Sequence, residues 1–104
     1  MKTEKIFSLV LAEKERAEEL HPNFPTNEFE ALAVCHEELG EVAKAMLDAK
    51  HKGASRDDIK TEIVQTIVTL IRLLNNFKEA EYSIDKPIVS EMVQNIMDSQ
   101  KQNQ

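Results

Sequence analysis

Apolar residues recur along the chain at the three- and four-residue spacing of amphipathic helices, in four stretches separated by short polar or proline-containing segments. Asn27 and Ser55 are predicted N-caps, because their side-chain oxygens can accept first-turn N–H groups, and Pro87 suits a first helical turn. The predicted helices cover about 3–20, Asn27 to about Lys50, about 56–77, and Pro87 to about Ser99, with a frayed tail at 100–104. The sequence therefore predicts one all-α domain over residues 1–104.

The second and third stretches carry the strongest apolar patterns. The predicted inward stripe of the second helix is Leu32, Cys35, Leu39, Val42, Ala43 and Met46. The third contains "IVQTIVTLI" (63–71), a run without a charge, and a helix that is apolar nearly all round is buried on most sides. Because so small a chain cannot cover that helix alone, we expect a homodimer or homotetramer. The face that we expect another protomer to cover is Ile63, Ile67, Val68 and Ile71.

Composition excludes several classes of function. A net charge of -6 argues against a nucleic-acid binder, although it allows a small phosphorylated substrate whose charge is screened by metal ions. Cys35 stands alone, which excludes a disulfide framework or a cysteine-based zinc site and suits a cytoplasmic protein. The apolar patch from Ile6 to Ala12 is too short for a signal peptide or a membrane span, so no membrane partner is expected.

Acidic residues crowd the second helix, where "HEELGE" places Glu37, Glu38 and Glu41 within five positions. Like charges at these spacings destabilise a helix, so a bound cation is one way to compensate them. The short turn "HKGAS" predicts that the second and third helices pack antiparallel, which brings Glu62 and Gln65 to about the same level. The carboxylates of Glu38, Glu41 and Glu62 and the amide oxygen of Gln65 suit Mg²⁺, with Mn²⁺ as the other candidate. The alternatives are a solvated acidic face, or a Glu62 neutralised by Arg72.

The acidic motif resembles that of the MazG-type all-α nucleoside triphosphate pyrophosphohydrolases, whose signature is E-E-x-x-E, a spacer, and E-x-x-D ahead of an apolar helical run. Here the two halves are "EELGE" at 37–41 and "EIVQ" at 62–65, followed by "TIVTLIRLL". "VSEMVQN" (89–95) resembles the family's later K-x-x-x-N segment. The resemblance implies a four-helix MazG-like bundle with an antiparallel central helix pair, completed by oligomerisation.

The same resemblance implies a metal-dependent enzyme that cleaves a (deoxy)nucleoside triphosphate between its α- and β-phosphates, giving a monophosphate and pyrophosphate. Glu38, Glu41, Glu62 and Gln65 fall on the metal-ligand positions, and Glu37 is the candidate for orienting the attacking water or holding a second ion. Candidate substrate contacts are Lys44, Arg72, Asn76, Asn95 and Phe24. For two of these a structural alternative stays open: Phe24 could stack on a base or pack in the core, and Asn76 could touch the ligand or cap the third helix.

Three positions depart from the family pattern. Gln65 replaces the usual Asp, Glu91 stands where the family tends to have a phosphate-facing Lys, and no Arg follows Asn95. These departures keep a second interpretation open, in which the chain is a non-catalytic helical interaction module that retains the fold with a degenerate site.

Overall fold

A computed structural model describes residues 1–78 and 93–100, and within them it contains helices and no strand, which confirms the all-α prediction. Helix α1 spans Thr3–Leu20, α2 Glu28–Lys52 and α3 Arg56–Asn75. A further helical segment covers 93–100, where a fourth helix was predicted. The predicted start of that helix at Pro87 and most of the predicted frayed tail lie outside the described residues.

Both predicted N-caps are confirmed. The Asn27 side-chain oxygen accepts the backbone N–H groups of Phe29 at 3.0 Å and Glu30 at 3.1 Å, and Ser55 Oγ accepts that of Asp57 at 3.1 Å. Helix α2 ends at Gly53, whose φ of 68° is left-handed backbone that favours glycine. These local signals limit the α2–α3 connection to residues 53–55.

The three long helices stand side by side, with α3 packed against both α1 and α2. Side chains that share the same hollows show the directions: Glu41 lies with Glu62, and Asp48 lies with Asp58, so α2 and α3 are antiparallel as predicted. The first half of α1 lies beside Lys60 in α3, and the carbonyl of His21, just after the end of α1, accepts a hydrogen bond from Arg72. Helix α1 therefore runs parallel to α3. The α1–α2 loop and the end of α3 therefore meet at one end of the molecule.

The core of the described residues is built mainly from small side chains: Val10, Ala31, Cys35, Val42, Ile59 and Val68. This corrects the predicted inward stripe of α2, since Leu32, Leu39 and Met46 are 55%, 56% and 48% exposed and Ala43 is also exposed. Helix α2 carries two neighbouring apolar stripes, and the one turned towards α3 contains its smaller residues. The predicted stripe combined residues of both, so it is confirmed for the buried Cys35 and Val42 and wrong for Leu32, Leu39 and Met46.

The larger residues form an exposed apolar surface, here called the outer face, made of Leu32 and Leu39 on α2 and Ile63 and Leu70 on α3. Leu32, Leu39 and Leu70 line a groove of about 570 Å³. Val68, which was expected to be covered by another protomer, is 2% exposed within this chain, so its burial requires no second copy. None of the helices in the described ranges is long and apolar enough to cross a membrane.

The two glycines give a matched test of the fold. Gly40→Ala should raise the free energy of unfolding by about 0.8 kcal/mol, because Gly40 lies within α2 and an added Cβ would meet open space. Gly53→Ala should lower it by about 1–2 kcal/mol, because the new side chain would be held in left-handed backbone. Urea unfolding measures both values, and shifts of the same sign would contradict the α2–α3 turn described here.

Candidate metal and phosphate site

Glu38 lies at the centre of an acidic cluster between the helices. Burial raises the pKa of its carboxyl group, and the charges of Glu62, Glu41, Glu37 and Glu13 raise it further, in that order. Glu38 is half-buried on the stripe of α2 that faces α3, whereas Glu37 and Glu41 are exposed beside it. The other carboxylates singled out from the sequence, Glu62, Glu41 and Glu37, therefore lie near enough to Glu38 to raise its pKa.

Glu13 of α1 is a member of this cluster that the sequence motif did not indicate. Its carboxylate accepts two hydrogen bonds from Arg16, Nε–Oε2 at 2.8 Å and Nη2–Oε1 at 2.6 Å. These bonds hold the pKa of Glu13 below its ordinary value against the opposing effect of burial. The available signal was its spacing, since Glu13 follows the buried Val10 by three positions on one helix.

Gln65 lies next to Glu13, and its side chain contributes a smaller lowering of the pKa of that carboxyl. Gln65 and Glu38 also line one hollow of about 380 Å³ between α1, α2 and α3. An amide can donate a hydrogen bond to a carboxylate, whereas an aspartate at this position would repel it. A glutamine at position 65 is therefore electrostatically compatible with the neighbouring carboxylate of Glu13.

A second hollow, of about 200 Å³, lies between α2 and α3 on the side of the connecting turn. Lys44, Glu41 and Glu62 all line it, together with Asp48 and Asp58. Lys44 is exposed, and it is the ammonium group nearest along α2 to the acidic motif. A phosphate group entering this hollow would meet one cation among several carboxylates.

Three of the candidate substrate contacts, Phe24, Arg72 and Asn76, line a cleft of about 770 Å³ at the end of the molecule where α1 and α3 terminate. Arg72 is only 8% exposed. Its Nη2 donates to the carbonyl oxygen of His21 at 2.6 Å, and its guanidinium carbon lies 4.8 Å from the centre of the Phe24 ring. The alternative in which Arg72 neutralises Glu62 is wrong for the described parts of the chain, where Arg72 forms no ion pair.

The two candidate asparagines differ in position. Asn76 caps α3, its N–H lying 3.2 Å from the carbonyl oxygens of both Arg72 and Leu73, and it also lines the cleft, so the capping and ligand roles are compatible. Asn95 is exposed on the segment 93–100 and lines none of these three hollows. Glu91 lies outside the described residues.

As the side chains stand, no three His, Cys, Asp or Glu residues within 1–78 and 93–100 are placed to hold a metal ion. The donor chemistry nevertheless suits a hard divalent cation, because carboxylate and amide groups line the hollows between the helices and neighbouring carboxylates raise the pKa of Glu38. Ligation would require side-chain rotation, which Glu37 and Glu41 are free to make as exposed residues.

Comparison of the chain with protein-family models, with curated proteins and with solved structures finds no match. The resemblance to the MazG-type enzymes therefore rests on the motif residues themselves.

The raised pKa of Glu38 predicts how stability depends on pH. In the unfolded chain Glu38 loses its proton near the ordinary value of 4.5, whereas in the folded chain it keeps the proton to higher pH. Stability should therefore fall as pH rises from about 4.5 through the raised pKa, and the full penalty should remain at neutral pH. Glu38→Gln should remove this fall and raise Tm at pH 7 by about 2–4 °C, which corresponds to about 0.5 kcal/mol of relieved repulsion.

Thermal melts without divalent ions between pH 4 and 8 measure this effect. Glu19→Gln is the matched control, because Glu19 is an exposed carboxylate with acidic neighbours on its own helix, Glu15 and Glu18, and is not among the charges that raise the pKa of Glu38. If Glu38→Gln were no more stable than Glu19→Gln at neutral pH, the repulsion at Glu38 would be refuted.

Proposed function

We propose that this protein is a metal-dependent nucleotide pyrophosphohydrolase with a MazG-like bundle, which converts a (d)NTP into the (d)NMP and pyrophosphate. The observation that carries the proposal is that carboxylates of α2 and α3 lie near the half-buried Glu38, whose pKa is raised by burial and by these acidic neighbours. Perturbed carboxyl groups in a hollow are typical of sites that bind cations and perform hydrolysis.

Mg²⁺ or Mn²⁺ would be held by oxygen atoms of Glu38, Glu41, Glu62 and Gln65. When bound, a divalent cation neutralises phosphate oxygens and makes the phosphorus easier to attack. Charge supports this assignment, because the neighbouring carboxylates repel one another in a chain whose net charge is already -6. A bound cation would relieve that repulsion.

The protein's own groups supply the remaining functions. Glu37, exposed at the rim next to Glu38, is suited to orient the attacking water and to accept its proton. Lys44, in the hollow with Glu41 and Glu62, is suited to bind a phosphate oxygen. Arg72 follows Glu62 by ten residues on α3, about 15 Å along the helix axis, so the cleft with Phe24 and Asn76 would meet a different part of the substrate.

A nucleotide panel with Mg²⁺ or Mn²⁺ tests this function, with pyrophosphate and orthophosphate measured separately. Glu38→Gln and Glu62→Gln should each lower the turnover by about 100-fold or more while the helical content is retained, because each removes an anionic metal ligand. Glu19→Gln should turn over like the parent. Release of orthophosphate alone would contradict cleavage between the α- and β-phosphates.

The second candidate function is a non-catalytic helical interaction module. It is favoured by the exposed outer face and by the lack, in the described ranges, of a group already placed to hold a metal. A folded protein that hydrolyses no nucleotide with either metal would favour this candidate over the enzyme.

Both candidates involve a homo-oligomer, which we propose forms through the outer face. Leu32, Leu39, Ile63 and Leu70 are 39–56% exposed and lie on two adjacent helices, so a second copy could cover them together.

Leu39→Glu should therefore shift the protein towards monomer, because an isologous contact would bury two unpaired charges. Leu11→Glu is the control, since Leu11 is 66% exposed on α1, away from this face. Sedimentation velocity at micromolar concentration measures both variants. A monomeric parent, or equal effects of the two substitutions, would refute the outer face as the interface.

A further inference from the structure

We propose that the cleft between the α1–α2 loop and the end of α3 is a phosphoryl-anion site that works without a metal ion, with Arg72 as its central cation. The ligand class is a phosphate group, either inorganic or carried as a monoester on a small molecule. The cleft adjoins the hollow of Glu38, Glu13 and Gln65, which Arg72 also lines, but anion binding at Arg72 does not depend on the metal-dependent chemistry proposed above.

The first argument is the state of the Arg72 side chain. It is more than nine-tenths buried, yet its guanidinium group, with five N–H donors, makes one hydrogen bond in the described part of the chain, to His21. Buried charges are normally paired, and removing an unpaired charge from water is costly. Stacking on Phe24 stabilises the cation but satisfies none of its N–H donors.

The second argument is that the remaining donors are not sealed from the hollows that Arg72 lines. Among the described residues that are not exposed, one side-chain nitrogen or oxygen atom is fully buried without a hydrogen-bond partner, and it is Glu28 Oε1. The Nε and Nη1 atoms of Arg72 are therefore not sealed, and Arg72 lines the cleft of about 770 Å³. A planar fork of N–H groups beside an open cleft suits the bidentate binding of phosphate oxygens.

The third argument is the composition of the surrounding wall. Asn23, Thr26, Asn75 and Asn76 line the cleft and can donate from side-chain amides and a hydroxyl group. Thr26 directly precedes the N-cap of α2 and Glu30 lies in its first turn, so the positive end of that helix lies at the cleft. Donors from several directions suit a tetrahedral phosphoryl group better than a planar carboxylate.

Two carboxylates, Glu18 and Glu30, also line the cleft, but neither forms an ion pair with Arg72 in the parts of the chain that are described. A hydrogen bond from Lys14 holds the pKa of Glu18 below its ordinary value, and the charge of Arg72 adds a smaller lowering. Because Glu18 is exposed and already paired with Lys14, the anion site stays open.

The experiment observes the arginine Nε–H signals of the ¹⁵N-labelled parent protein by NMR, in chelator and at constant ionic strength. The chain has three arginines, so Arg16, bound to Glu13, and the exposed Arg56 are internal controls in the same spectrum. Inorganic phosphate, pyrophosphate, a nucleoside monophosphate and acetate are titrated separately. The comparison of the phosphoryl ligands distinguishes a free anion from a monoester as the preferred source.

The expected result is a saturable shift of the Arg72 signal with at least one phosphoryl ligand, little shift with acetate, and little change at Arg16 and Arg56. Ligand at ten times its Kd should also raise Tm by about 6–11 °C. Arg72→Lys, which keeps the charge but loses the planar fork, should weaken binding about tenfold. Arg56→Lys should leave it unchanged.

Three results would overturn the proposal. An Arg72 signal that does not move, or that moves linearly with the Arg56 signal, would show that no specific site exists. An equal response to acetate would refute the phosphoryl class. Binding seen only after Mg²⁺ is added would assign the anion to the carboxylate cluster, whereas loss of nucleotide turnover with retained phosphate binding would refute the proposed function alone.

Discussion

The connection between α2 and α3 is the constraint on which the other features depend. Three residues, 53–55, join a 25-residue helix to a 20-residue one, so the two can only fold back along each other. Gly53 caps the end of α2 in left-handed backbone, and Ser55 caps the start of α3. The register that results places Glu38 opposite Glu62 and brings the end of α3 to the beginning of α2. A change in the turn would alter how α2 and α3 pack, and would therefore disturb both the acidic cluster and the Arg72 cleft.

Packing along this hairpin is unusual in what it buries. Helix α2 turns alanine, cysteine and valine towards α3 and leaves Leu32 and Leu39 outside. A small domain has little apolar burial available, so leaving leucines exposed costs stability that covering by another chain would recover. The same inward stripe contains Glu38, and α3 contributes Arg72. The interior thus combines small apolar side chains with charged groups, which is costly unless ligands or partners compensate those charges.

Local signals in the sequence were sufficient for the helices, the N-caps and the antiparallel hairpin, since each depends on residues close together in the chain. They did not identify which of two apolar stripes of α2 packs on α3, because periodicity gives the angle of a stripe and not the position of the neighbouring helix. Glu13 was missed for a related reason: its role depends on α1 lying beside Gln65. The partner of Arg72, the carbonyl of His21, lies 51 residues away, and no short-range pattern indicates it.

Cys35 gives this arrangement a kinetic consequence. Its thiol is 4% exposed, on the stripe of α2 that faces α3, three residues before Glu38. Cys35 also lines the groove of the outer face, so a reagent reaches the sulfur from that groove or when the two helices separate locally, and the alkylation rate of the native protein reports both events. Because the chain contains one cysteine, that rate carries no contribution from any other position. The alkylation rate of Cys35 therefore measures the accessibility of the α2–α3 interface beside the acidic cluster.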